Sequence, residues 1–137
     1  MAKFRDEWLA GTMRQLLGED KLEELRTSKQ AASSLWETAV LCNMATDSEI
    51  LSALATRFRV KIADLSQMER AAKALVTEAQ ARKYHILPVR GTDSYLEIAT
   101  ANPFDLDCEK TLAFATGREV RLLLTSPAVI TERLDEL

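Results

Sequence analysis

The fold is decided by residues 84–105, YHILPVRGTDSYLEIATANPFD, and by residues 116–120, TGREV, which follow one helix later. Turn residues at 91–94 separate two apolar stretches, which predicts a β-hairpin. Pro88 has no N–H to donate to a sheet ladder, so its strand is expected at a sheet edge or at a bulge. Asn102-Pro103 predicts the start of a helix, and Gly117 predicts its end.

The elements on either side extend this pattern. Val120, Leu122 and Leu124 alternate as one face of a third strand, and Ser126-Pro127 predicts the cap of a last helix. The N-terminal half is predicted to be helical, with a first helix from Phe4 that ends near Gly18 and three capping boxes. These boxes are Ser34-x-x-Glu37, Thr46-x-x-Glu49 and Thr77-x-x-Gln80. The predicted fold class is α+β, a helical N-terminal half followed by a small ββαβα subdomain with helices packed on a three-stranded sheet.

Composition shifts suggest three parts of the chain. They are an N-terminal helical segment (1–32), a helical subdomain (33–75) and the ββαβα subdomain (76–137). The polar stretch 27–33 predicts a linker, whereas 60–65 predicts a short extended connector. Because the connector contains neither Gly nor Pro, the two later subdomains are expected to form a compact pair.

Charge and hydropathy exclude several classes of function. The 137 residues carry a net charge of -3, whereas nucleic-acid-binding domains usually present a basic face. No apolar run approaches the roughly 20 residues that span a bilayer, and the N-terminus lacks the apolar region of a secretory signal. A cytoplasmic protein that neither enters the membrane nor binds nucleic acid is therefore expected.

The residues that could perform chemistry are few. Cys42 is expected to be buried and Cys108 to be partly exposed, while His85 is the only histidine, so no metal site and no cofactor are predicted. Asp105, Asp107 and Glu109 cluster where carboxylates favour a helix start. The prediction is a domain that is not an enzyme.

Three segments in order carry a family resemblance. They are the Leu87-Pro88 strand, the junction 99–105 (ATANPFD) and the helix end 114–117 (FATG). In order and spacing they resemble the N-terminal domain of the type II secretion and type IV pilus assembly ATPases, also called the general secretory pathway protein E N-terminal domain. The resemblance extends over 34–65 and 74–137.

The resemblance implies a docking module. Family members couple ATP hydrolysis to assembly of a pilus or pseudopilus, but the phosphate-binding pattern Gly-x-x-x-x-Gly-Lys-[Ser/Thr] does not occur in these residues. A non-catalytic domain is therefore implied, which docks the motor to the cytosolic domain of an inner-membrane platform protein. An ATPase domain downstream in the same polypeptide is a further candidate partner. Phe4 and Trp8 could supply aromatic anchors to the platform protein, although Trp8 could instead pack within its own domain.

The alternative is a sensor of a nucleotide second messenger, since some family members bind cyclic di-GMP through this domain. Their motif begins Arg-Leu-Gly, has a middle Gly and ends with Leu and Gln. The corresponding residues here are Ser34, Leu35, Trp36, Asn43, Leu54 and Arg57. Only the leucines match, and the Trp36 side chain would fill space that a purine needs. The motif is degenerate, and binding in the family's usual mode is not expected.

Overall fold

The computed structural model describes residues 7–28, 34–68 and 70–135. The chain forms two compact units, Met1–Arg59 (unit 1) and Val60–Leu137 (unit 2). The predicted three-part division at 32/33 and 75/76 stays a prediction. Among the residues the structure describes, no helix has both the length and the apolar character that crossing a bilayer requires.

Unit 1 is helical, as predicted. Gly18, at φ 91°, ends its first helix where the sequence indicated. The predicted linker is wrong for Thr27 and Ser28, because the second helix continues through both and Thr27 donates from Oγ1 to the Glu23 carbonyl at 2.8 Å. The rest of that linker lies outside the described residues. Within the described part of unit 1, a 3-10 turn (Glu7–Leu9) precedes α1 (Ala10–Leu17), α2 (Glu19–Ser28), α3 (Leu35–Leu41) and α4 (Asp47–Phe58).

The core of unit 1 lies between these helices. α1 packs against α2 and α4, and α2 packs against α3. The predicted cap at the start of α4 is confirmed, since Thr46 and Glu49 exchange side-chain to backbone bonds of 3.0 and 3.2 Å. The largest fully buried side chains in the described part of unit 1 are those of Leu9, Met13, Leu22, Leu25, Leu35, Trp36, Ile50 and Leu54.

Unit 2 places helices on a small sheet. Thr77 and Gln80 form the predicted reciprocal cap, with bonds of 3.0 and 3.2 Å. The order of elements confirms the predicted α+β class and its ββαβα unit. After a 3-10 turn (Leu65–Gln67), these elements are α5 (Arg70–Lys73), α6 (Glu78–Tyr84), β1 (Ile86–Gly91), β2 (Tyr95–Thr100), α7 (Leu106–Thr116), β3 (Glu119–Leu124) and α8 (Pro127–Asp135).

The strands described in unit 2 form one sheet of order β1-β2-β3. β1 pairs antiparallel with β2 through the hairpin, whereas β2 pairs parallel with β3 after the α7 crossover. Pro88 lies in the edge strand β1, and the register shifts between Pro88 and Arg90. Both alternatives expected for this proline, the edge and the bulge, therefore occur together.

The predicted connector 60–65 also joins the sheet. Ile62 forms a parallel bridge with Leu124 of β3. Ala63 donates from its backbone N–H to the Leu124 carbonyl, and Leu124 donates to the Lys61 carbonyl, both at 2.8 Å. The connector is extended, as predicted, and it pairs with the end of the last strand.

The start of α7 corrects the sequence prediction. The helix begins at Leu106 rather than at Pro103, because Asp105 is its N-cap and accepts from the Cys108 backbone N–H at 3.1 Å. Asn102 forms a turn before it, in which Oδ1 accepts from the Phe104 N–H at 3.0 Å. Gly117, at φ 65°, ends the helix as predicted.

Both cysteine predictions are wrong. Cys42 is exposed because α3 ends at Leu41 and places Cys42 in the following loop. Cys108 is buried because it lies four residues before Leu112, so both side chains are on the inner face of α7. α7 packs on β3, and α8 packs on β1 and β2. The fully buried core of unit 2 includes Ile86, Leu96, Ile98, Ala99, Leu112, Leu124 and Ile130.

Candidate functional site

The six predicted ligand positions all lie in unit 1, on α3, on the loop after it and on α4. Ser34 is the N-cap of α3 and is buried. Its Oγ accepts from the Glu37 backbone N–H at 3.0 Å and donates to Glu37 Oε1 at 2.8 Å. The predicted box is therefore only half formed, because the Glu37 carboxylate binds the Ser34 hydroxyl rather than the Ser34 backbone N–H. The Ser34 hydroxyl therefore makes both of these hydrogen bonds within the cap of α3.

Leu35 and Trp36 are core residues. Both are fully buried, and the Trp36 indole N–H donates to Asp47 Oδ1 at 2.8 Å. This bond ties the first turn of α3 to the first turn of α4. The indole therefore occupies interior volume and satisfies its polar atom within unit 1, as buried tryptophans usually do.

Asn43 keeps a backbone conformation that glycine adopts freely. Its φ is 58°, in the left-handed region, which asparagine tolerates better than most residues with a side chain. The Met44 N–H donates to the Ala39 carbonyl at 2.8 Å, and the Asn43 N–H donates to the Val40 carbonyl at 3.1 Å. This pair of bonds is a Schellman termination of α3. Replacing glycine with asparagine thus adds an exposed side chain without removing the turn.

Leu54 and Arg57 have opposite environments on α4. Leu54 is fully buried, whereas Arg57 is exposed and its guanidinium lies against α1 at Gly11. A Cβ at position 11 would stand only 3.1 Å from Arg57 Nη2 and 3.3 Å from Nη1. The absence of a side chain at Gly11 therefore lets the guanidinium approach. The Arg57 Cζ also lies 5.2 Å from the centroid of the Phe58 ring.

A cavity of about 830 Å³ adjoins this contact, between α1 and α4. Thr12 is buried, and its Oγ1 has no hydrogen-bond partner among the residues that the structure describes. The cavity wall combines apolar surface with hydroxyl and amide groups, one carboxylate and one guanidinium. The residues that line it are Thr12, Gln15, Leu16, Ser48, Glu49, Ser52, Ala53, Thr56 and Arg57.

Sequence reasoning missed most of this wall. The i, i+4, i+8 spacing of Ser48, Ser52 and Thr56 marks one face of a helix and was visible in the sequence. The contribution of α1 was not visible, because Gly11 and Arg57 are far apart in the chain and only tertiary packing brings them together.

The structure describes only one of the two predicted aromatic anchors. Trp8 lies in the 3-10 turn Glu7–Leu9 and is half-buried, while its neighbour Leu9 is fully buried. Phe4 lies outside the described residues. Part of the Trp8 surface is therefore accessible, and the role of both residues stays a prediction.

The acidic cluster of unit 2 lies at the start of α7, as expected. Burial, followed by the charges of Asp105, Asp107 and Glu109, raises the pKa of the Cys108 thiol to about 12. This thiol is neutral at physiological pH and is a poor nucleophile. Among residues 7–28, 34–68 and 70–135, no group of three His, Cys, Asp or Glu side chains could hold a metal ion.

His85 has a structural environment. It is buried at the C-terminal end of α6, with φ 54°. Its Nε2 lies 3.2 Å from the Pro127 carbonyl oxygen and 3.4 Å from Thr131 Oγ1. The ring therefore links the junction between α6 and β1 to α8 within unit 2.

A family model called the MshEN domain matches residues 58–137. This range covers all of unit 2 but none of the six predicted ligand positions, which end at Arg57. No curated protein sequence matches the chain.

Solved structures share this fold over nearly the whole length of the chain. The structure of MshE with cdg is similar with a TM-score of 0.73 and 20% identity, over 93% of this chain and 96% of that one. The N-terminal domain of XpsE is similar with a TM-score of 0.63 and 18% identity, over 94% and 90%. At these identities the similarity establishes a shared fold.

Proposed function

Because this chain belongs to the MshEN domain family, the N-terminal domains of type II secretion and type IV pilus assembly ATPases, we propose that it is a non-catalytic docking and regulatory module. It acts on the cytosolic side of the membrane. Its partner is the cytosolic domain of an inner-membrane platform protein, to which it attaches the motor.

One observation carries the proposal: the family match falls on a folded unit in which the groups most able to perform chemistry have structural roles. In unit 2, Asp105 caps α7, His85 bonds within the unit, and the Cys108 pKa is far above neutrality. The sequence also contains no Walker-type phosphate-binding loop. Such a unit is suited to recognition, and ATP hydrolysis would be the task of another domain.

The experiment is a binding titration with the soluble cytosolic domain of the platform protein from the same secretion or pilus system. Wild-type chain is expected to bind, and Trp8→Ala is expected to weaken binding if the half-buried ring is an anchor. Leu41→Ala is the matched control, because Leu41 is 80% exposed and also lies in unit 1. Failure of the wild type to bind would refute the docking function. Unchanged binding by a folded Trp8→Ala protein would refute only the anchor.

The second candidate, a cyclic di-GMP sensor, is favoured by the cavity beside Arg57. MshE, whose structure was solved with cdg, shares the fold, and Asn43 retains a glycine-like backbone. Two observations argue against this candidate. Trp36 is buried, and the hydroxyl of Ser34 is already hydrogen-bonded within the cap of α3. Any binding here would therefore use the α1–α4 cavity and Arg57 rather than the start of α3.

Calorimetric titration with micromolar cyclic di-GMP tests this candidate. A sensor would release or absorb heat on binding, and Arg57→Ala would reduce its affinity. Arg26→Ala on α2 is the matched control, because this arginine is exposed and does not line the cavity. A flat wild-type trace would remove the sensor function and leave the docking function untouched.

A further inference from the structure

The outer face of α7 carries apolar side chains in solvent. Phe114 is 93% exposed and Leu106 is 61% exposed, while Phe104, just before the helix, is 46% exposed. Leu106, Lys110 and Phe114 are spaced four residues apart and therefore lie on one side of the helix. Phe104, Leu106, Lys110 and Phe114 are called the α7 stripe here.

Packing within unit 2 does not require the α7 stripe. The inner face of α7 is formed by the buried side chains of Cys108 and Leu112, which pack toward β3. A phenylalanine that becomes buried removes about 150–250 Å² from water, so leaving one in solvent forgoes a large favourable term. Single exposed apolar residues are ordinary, but contiguous apolar patches commonly mark interaction sites.

The charges around the stripe restrict what can cover it. Lys110 stands midway between Leu106 and Phe114. In a symmetric antiparallel pairing of two α7 helices, Leu106 would meet Phe114 of the other copy, and Lys110 would meet its own copy. Like charges in direct opposition are destabilising. A second copy of this chain is therefore a poor fit to the stripe.

A different protein can meet these charges. A carboxylate placed between two apolar residues would pair with Lys110. Basic residues at one end would face the acidic start of α7, where Asp107 is exposed and Asp105 and Glu109 are half-exposed. An amphipathic helix can present all of these groups at a spacing of three to four residues.

We propose that the α7 stripe is the surface through which unit 2 binds an amphipathic helix in the cytosolic domain of the platform partner. Phe114 and Leu106 supply the apolar anchors, and Lys110 fixes the register by pairing with a partner carboxylate. This inference rests on the proposed docking function and assigns to it a surface in unit 2, separate from Trp8 in unit 1.

The test is a titration of the full chain with the soluble cytosolic domain of the platform protein. Phe114→Ala is expected to bind at least about tenfold more weakly, as truncation of a central aromatic anchor does. The fold should be unaffected because the ring is almost wholly in solvent, and circular dichroism melting checks this. Leu41→Ala removes another strongly exposed apolar side chain, 80% exposed and in unit 1, and should bind as the wild type does.

Charge reversal gives an independent readout. Lys110→Glu is expected to weaken binding severalfold at low ionic strength and less at high salt, because an exposed ion pair is screened. Lys21→Glu on α2 is the control, since Lys21 is also exposed and lies in unit 1.

The outcomes separate the two proposals. If the wild type does not bind the platform domain, both the docking function and this surface fail. If the wild type binds but Phe114→Ala and Lys110→Glu bind equally well, the docking function stands and this surface is refuted. If sedimentation shows a wild-type dimer that Phe114→Ala dissociates, a second copy covers the stripe and the inference is wrong.

Discussion

Trp36 in unit 1 and Phe114 in unit 2 are both aromatic residues on helices, but their side chains have opposite environments. Trp36 is fully buried and bonds its indole N–H to Asp47, whereas Phe114 is 93% exposed. α7 has apolar residues on two sides, Cys108 and Leu112 on one and Leu106 and Phe114 on the other, so its periodicity alone does not choose the buried face. The difference teaches that the packing partner of a helix, rather than its own periodicity, decides whether an aromatic side chain stabilises the fold or remains available to another molecule.

Trp36→Ala should have the largest effect. Removal of a fully buried aromatic side chain typically lowers the free energy of unfolding by about 3–5 kcal/mol, whereas Phe114→Ala should change it by less than about 0.5 kcal/mol. Urea unfolding followed by circular dichroism measures both. Similar losses for the two variants would erase the distinction between them.

Asp47→Ala tests the polar half of the Trp36 environment. The indole N–H would lose the acceptor that it reaches at 2.8 Å, at a cost of about 1–3 kcal/mol. Asp47→Asn keeps an oxygen in the same place and should cost clearly less. Tryptophan fluorescence during urea unfolding reports the change, since Trp8 and Trp36 both belong to unit 1. Equal losses in the two variants would show that the acceptor oxygen is not what matters.

A matched pair of glycines compares the helix ends of the two units. Gly18 ends α1 at φ 91°, ψ 165°, and Gly117 ends α7 at φ 65°, ψ 27°, and no atom stands within 4 Å of a Cβ added at either. Alanine should therefore cost only backbone strain, about 1 kcal/mol at Gly117 and about 2 kcal/mol at the less accessible conformation of Gly18. Thermal melting of both variants checks the order. A neutral Gly18→Ala would contradict it.

The two cysteines give an effect about as large as that expected at Gly117, and it depends on pH. Burial raises the pKa of the Cys108 thiol from 9.0 to about 12, so the folded state holds this proton more tightly than the unfolded state does. The resulting stability is complete below about pH 9 and is lost as pH rises toward 12. Between pH 8 and 10 the free energy of unfolding of the wild type should fall by about 1 kcal/mol more than that of Cys108→Ala. Cys42→Ala, at an exposed site, should follow the wild type.

Local signals in the sequence predicted much of the fold. The reciprocal caps at Thr46 and Thr77, the helix ends at Gly18 and Gly117 and the edge position of Pro88 are all confirmed. Each depends on backbone groups within a few residues, so the sequence contains the whole interaction.

Signals that depend on tertiary packing failed. Cys42 is exposed just after the end of α3 and Cys108 is buried on the inner face of α7, the opposite of what was expected for each. Asn102 and Asp105 are both capping residues, and only packing selects which of them starts α7. At the candidate site, the contact of Arg57 with Gly11 across two helices was not foreseeable from spacing.

The pairing of Ile62 with Leu124 has a consequence for synthesis on the ribosome. The residues that begin unit 2 acquire their sheet partner only when the end of β3 has emerged. At translation rates of about 5–20 residues per second, this delay lasts for several seconds. The β1–β2 hairpin joins neighbouring segments and can form much earlier. Residues 61–63 of the nascent chain therefore stay unpaired until late, and closure of this bridge would mark completion of the sheet.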